Sequence, residues 1–262
     1  MTVQSPTVHP SPWTLRVTVQ LTVLAAAAFV YVTAEILPVG ALPAIAADLD
    51  VSEGLVGTLM ATYALVAALT TVLLVRLTAR WPRRHTLLVT LMCLTVSQIV
   101  SALAPNFAVL AGGRVLCALT HGLMWSVIAP IGARLVPTSH AGRATAAVYV
   151  GTGLALVVGN PLTAALSELW GWRLAVTAVA VAAAVVTLAV WTTLPPMPAA
   201  RAAQTAPRRH RRNRRLLTLS VLTLIGVTGH FIAYTFIVVI IRDVVGVHGA
   251  HLAWLLAGYG VA

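Results

Sequence analysis

The sequence predicts an all-α membrane protein, and three observations carry that expectation. Of its 262 residues, 59% are hydrophobic and 9% are charged. A soluble domain carries roughly 25% charged residues, so this chain has too few charges to cover a water-facing surface. Apolar runs of bilayer length, about 20 residues each, recur along the chain. The arginines, finally, gather on alternate connections between those runs, as the positive-inside rule requires of a multi-pass protein.

The runs fall at residues 17–39, 55–75, 86–104, 108–131, 144–166, 174–194 and 217–241, which makes seven full crossings. The first is too long for the core of a signal peptide, and six more follow it, so it reads as a span. An eighth run begins near Leu252 and reaches Ala262. At helical rise it extends about 16 Å, half the hydrocarbon thickness. The expectation from that stub is a C-terminally truncated chain, a fragment of a longer protein.

All 17 basic residues are arginine. With the N-terminus in the cytoplasm, fourteen of them fall on inner segments, Arg173 and Arg242 lie outside, and Arg114 lies within a span. Asp48, Asp50, Glu53, Glu168 and Asp243 fall in outer loops, while Glu35 lies inside the first span. The chain then divides into a cytoplasmic tail (1–16), a six-helix transmembrane half (17–194), a basic cytoplasmic loop (195–216) and the start of a second half (217–262). The net charge of +11 would suit nucleic acid in a soluble protein. Here the basic run from Arg208 to Arg215 works as a topology anchor that can touch anionic lipid. No aromatics interleave with it, so no nucleic-acid partner is expected. Cys93 and Cys117 sit in apolar runs and read as packing residues, not as metal ligands or a disulfide.

A six-helix unit, a basic central loop and a unit that starts over form the layout of a two-halved secondary transporter. The residues resemble the major facilitator superfamily, and within it the bacterial drug and sugar efflux permeases. The stretch from Thr33 through Glu35, Pro38 and Gly40 to Ala46 resembles that branch's first-span exit. Gly57-Thr58-Leu59-Met60-Ala61-Thr62-Tyr63 resembles its second span. Arg114 with Gly122 fits the fourth-span motif, whose arginine the resemblance ties to proton coupling. Gly151, Gly153, Gly159, Asn160 and Pro161 look like the antiporter motif of the fifth span, a helix-packing element. Gly171-Trp172-Arg173 matches the start of the sixth. One motif is eroded: Val75, Ala79 and Pro82 stand where a glycine, an aspartate and a second glycine are usual. Arg80, Arg83 and Arg84 of that cytoplasmic gating loop remain. The resemblance implies a major-facilitator-type bundle in a bacterial inner membrane, monomeric, without cofactor or metal. It implies proton-coupled antiport, with lipid, protons and a sugar-like or drug-like small molecule as partners.

An ionisable side chain inside a span costs roughly 2.5–3.5 kcal/mol on insertion scales and marks a functional site by default. Glu35 lies about 6 Å and Arg114 about 9 Å below the outer face at helical rise. Their matched depths predict a pair, direct or through water. Such a pair serves either as a salt bridge that lowers the cost of burial or as a proton relay. Burial and a neighbouring guanidinium act oppositely on a carboxyl's proton affinity, so movement of the pair could load and release a proton. His121 lies two turns beyond Arg114 on the same face, with Trp125 one turn further. It suits either a proton pathway or a bond to a backbone carbonyl. His230 and Tyr234 repeat the one-turn spacing on the seventh span. Tyr63, His121, Trp125, His230 and Tyr234 are the candidate substrate-binding residues, with core packing as the alternative for each aromatic.

An intramembrane enzyme would need a nucleophile–base pair or a metal triad within the spans. His248-x-x-His251 has only Asp243 nearby in sequence, and no phosphate-binding loop occurs for an ATP-driven pump. The remaining alternative to a proton-coupled exporter is a non-transporting remnant of one, and the short eighth run predicts that this chain alone does not transport.

Overall fold

The computed structural model describes residues 13–197, 214–247 and 250–261. Arg201, Arg208, Arg209, Arg211, Arg212 and His248 lie outside the described residues, as do most of the tail and the central loop. The described chain is helical, as expected: α1 (Leu15–Gly40), α2 (Leu42–Asp48), α3 (Glu53–Leu77), α4 (Arg83–Ala102), α5 (Phe107–Arg134), α6 (Ala141–Leu154), α7 (Asn160–Trp170), α8 (Trp172–Thr193), α9 (Arg214–Thr235), α10 (Ile237–Ile240) and α11 (Ala250–Val261). Seven segments of the described residues are long and apolar enough to cross a membrane.

Local chemistry sets the helix starts. Thr14, Ser52 and Asn106 each accept a hydrogen bond from a backbone N–H in the first turn of α1, α3 and α5, satisfying donors that the helix cannot. Gly171, at φ +87°, turns the chain sharply enough for α8 to begin immediately after α7. That conformation belongs to glycine.

Two elements depart from the expected simple spans. The fifth crossing, Thr138–Trp170, contains a π-helical turn at Ala155–Gly159, closed by the Asn160 N–H on the Ala155 carbonyl. Pro161 follows directly and has no N–H to continue the α ladder, so the wider turn forms where the sequence frees a carbonyl. The seventh crossing is not one helix over 217–241. It breaks at Phe236, resumes as the short α10, and passes into a second π turn at Ile241–Val245.

α4 packs on α5 and α8, α3 on α5, and α1 on α6 and α8. Tyr31, Leu24, Leu91, Met124 and Ile128 fill the centre. Leu65, Leu69 and Leu73 of α3 and Leu217, Leu219, Leu222 and Ile225 of α9 present apolar side chains outward, as lipid-facing helices do.

Two glycines let α1 approach the fifth crossing. A methyl on Gly151 would lie 1.9 Å from the Ala25 carbonyl oxygen, and one on Gly159 would lie 2.2 Å from Thr33 Oγ1. The glycines and their partners are both eight residues apart and rise together, so the two crossings run parallel in fixed register. Gly153, expected in the same contact, has open space beside it. Two residues along a helix rotate by about 200°, so Gly153 and Gly151 cannot face the same neighbour.

Candidate functional site

Residues of α1, α3, α5 and α9 line an open cavity of about 770 Å³, mainly apolar, with Glu35, Tyr63 and His121 among its few polar groups. Its volume lies within the usual range for a small-molecule site.

Glu35 does not pair directly with Arg114. Its Oε2 lies 3.5 Å from His121 Nδ1. Arg114, only 3% exposed, instead donates from Nη1 to the Ala34 carbonyl and from Nη2 to the Glu35 carbonyl, each at 2.6 Å. Pro38 explains the first bond. Four residues after Ala34 and inside α1, it lacks the N–H that would take the Ala34 carbonyl. The guanidinium fills that vacancy and closes the broken helix ladder beside the carboxylate. Arg114 also lies over the Tyr63 ring, 5.0 Å from Cζ to the centroid, where the π face stabilises its charge.

Tyr63 and His121 complete the group. The Tyr63 hydroxyl and His121 Nδ1 share a 3.0 Å hydrogen bond, so that nitrogen faces both a hydroxyl and a carboxylate. Sequence reasoning missed Tyr31, whose fully buried hydroxyl lies 3.2 Å from the Cys117 carbonyl and 3.3 Å from Thr120 Oγ1. Its signal was available: Tyr31 stands one turn before Glu35, on the same helix face.

The other expected substrate residues sit elsewhere. Trp125 is near His121, with centroids 6.2 Å apart, but it stacks on Tyr149 at 6.0 Å and 6° and does not line the cavity. His230 and Tyr234 share a face and stack together, joined by Tyr259 at 6.1 and 5.6 Å. Tyr234 accepts a 2.8 Å hydrogen bond from Asn160 Nδ2. This pair therefore faces α7 and α11. Phe236, one turn beyond Ile232 on the same face, lines the cavity in its place.

At one end of the bundle, Trp172 Nε1 donates to Asp48 at 3.1 Å, and Arg173 pairs with the same carboxylate while donating to the Ala104 carbonyl at 2.8 Å. The Arg173 guanidinium holds Asp48 below its ordinary carboxylate range. At the opposite end Gln20 and Arg84 donate to the Thr193 and Trp191 carbonyls, which α8 leaves without helical partners.

The family model of the Major Facilitator Superfamily matches residues 24–262. The chain belongs to this superfamily. Chloramphenicol efflux pumps from two strains of Mycobacterium tuberculosis are each 69% identical over 254 residues, which cover 96% of this chain and 62% of the relative. The chain thus spans less than two thirds of the length of these curated relatives. Among solved structures, a D-xylose–proton symporter aligns with a TM-score of 0.62 at 16% identity, covering 94% of this chain and 65% of its own. A peptide transporter in complex with sulfate aligns at 0.61 and 13%, covering 89% and 48%. At such identities these likenesses show the fold. Among the described residues, no group of three His, Cys, Asp or Glu side chains could hold a metal ion.

Proposed function

We propose that this chain acts in a proton-coupled exporter of a small drug-like molecule, working by alternating access in a bacterial inner membrane. The observation that carries the reading is the junction of Glu35, His121 and Tyr63 on the wall of the cavity. A carboxylate beside a histidine offers two titratable sites within one proton transfer of each other. Arg114 supplies a fixed positive charge nearby without consuming the carboxylate in a direct pair. A proton arriving from outside loads Glu35, and inward opening releases it as the chain returns for cargo.

The arginines support an inward-facing N-terminus: Arg76, Arg80, Arg83, Arg84, Arg134 and Arg143 all belong to one side in that arrangement. A drug-like cargo is favoured over a sugar. The relatives are chloramphenicol efflux pumps, and Trp125, His230 and Tyr234 lie off the cavity that a sugar would have stacked in. The mostly apolar wall with a few hydroxyls suits a neutral amphipathic molecule with an aromatic ring.

Chloramphenicol accumulation in cells producing a carrier of the relatives' length that contains this chain tests the proposal. Lower accumulation than in control cells, lost when the proton gradient is collapsed, is the expected result. Accumulation equal to that of the controls would overturn it.

A further inference from the structure

α3 and α9 run antiparallel along the cavity and meet at one end only. Gly57 of α3 faces Phe236, so closely that a methyl on Gly57 would lie 2.5 Å from Phe236 Cζ. At the other end Val72 of α3 and Leu224 of α9 both line the open cavity. Residues 217–233 of α9 are exposed, and burial begins at Tyr234 and Thr235. The two helices therefore form a wedge that is shut at Gly57 and gapes towards Val72.

Ion pairing reinforces the shut end. Glu53 precedes Gly57 by one helical turn, so both stand on one face of α3. After the break at Phe236, the π turn at Ile241–Val245 carries Arg242 back to the first turn of α3. There its Nη2 lies 2.8 Å from Glu53 Oε1, while Asp243 takes Nε at 2.6 Å and Nη2 at 3.0 Å. Arg242 and Glu53 are 29% and 31% exposed. A pair this wet is weak and screened by salt, which suits a contact that must open and close.

We infer that Phe236, seated on Gly57 and held there by the Arg242–Glu53 pair, is the plug that shuts the outer end of the cavity. Phe236 does the blocking; Glu53, Gly57 and Arg242 position it. The role assigned to the plug rests on the carrier reading, but its test needs no transport. The position of Phe236 supports the assignment, because its large ring extends the cavity-lining stripe of Thr228 and Ile232 to the notch that α3 offers. Gly57 supports it from the other side, since any larger residue would unseat the ring.

Cysteine accessibility reads the plug directly. Ala64, midway along the cavity wall, is replaced by cysteine in the full chain after Cys93→Ser and Cys117→Ala. A membrane-impermeant maleimide is then added to either face of sealed vesicles in separate samples. The inference predicts labelling from the Val72 side and little from the Glu53 side. Phe236→Ala and Gly57→Ala raise labelling from the Glu53 side, and the Gly57→Ala effect vanishes in the Phe236→Ala background. Glu53→Arg and Arg242→Glu each raise it about fivefold, in keeping with a weak pair, and the double swap restores protection. The double variants carry the test if a single substitution fails to reach the membrane. Unchanged protection in both Phe236→Ala and Gly57→Ala, or a charge swap no better than its single substitutions, would overturn the plug. Absence of chloramphenicol flux in a carrier of the relatives' length that contains this chain, alongside the predicted labelling, would overturn the carrier reading alone.

Discussion

Arg114 shows how one residue can be read correctly in place and wrongly in partner. Its depth and that of Glu35 agree, as the sequence predicts, and Arg114 does bond to Glu35, but at the backbone carbonyl. The deciding residue is Pro38, which frees the Ala34 carbonyl four positions earlier. That vacancy is legible in the sequence from the proline alone. The direction of a long guanidinium side chain across a helix interface is not, because several acceptors lie within its reach. If Arg114 closes the proline-broken ladder, Pro38→Ala and Arg114→Gln must be coupled. The Pro38→Ala background restores a backbone N–H to the ladder. In a thermal-unfolding double-mutant cycle in detergent, Arg114→Gln should cost about 1.5–3 kcal/mol less there, the size of a charge-assisted hydrogen bond. Equal costs in both backgrounds would assign Arg114 to charge balance only. Tyr31 escaped sequence reasoning for a different cause: a tyrosine in an apolar run looks like packing until its buried hydroxyl is seen to need a partner.

Elements were legible where periodicity and length decide, and less so where a proline or a packing contact decides. The spans were placed from run length. Tyr234 bonds to Asn160, off the cavity, while Phe236 continues the cavity-lining stripe of Thr228 and Ile232. Glycine spacing predicted a helix contact but could not show which glycines share a face with α1. The structure separates them: Gly151 and Gly159 touch α1, while Gly153 meets nothing. Gly159→Val should therefore destabilise the chain by about 1–3 kcal/mol, the usual cost of overpacking, whereas Gly153→Val should leave its melting temperature nearly unchanged. Similar losses for both, measured in the same detergent, would remove the register assigned to these two crossings.

On the scale of the whole molecule, the helix ends are fastened differently on the two sides. The Asp48–Trp172–Arg173 group joins α2, the end of α4 and α8 through one carboxylate and one guanidinium, and Asp48 is held below its ordinary value mainly by Arg173. A carboxyl with a lowered folded pKa contributes stability that is full above its unfolded value, about 3.9, and is lost as the pH falls through the folded value. Wild type should thus melt somewhat above Asp48→Asn at pH 7, and the gap should narrow as the pH falls below about 3.9; a constant gap would make the latch a matter of shape. The contribution is modest, because the group is wet. The central claim concerns the other asset of the bundle, a membrane cavity whose carboxylate faces a histidine. The most direct test is proton movement in vesicles loaded with a pH-sensitive dye, recorded as cargo is added, for a carrier of the relatives' length that contains this chain, as wild type and as Glu35→Gln. Cargo-driven proton flux in wild type, abolished in Glu35→Gln while cargo binding persists, is the predicted result. Cargo-driven flux of equal size in Glu35→Gln would contradict the account.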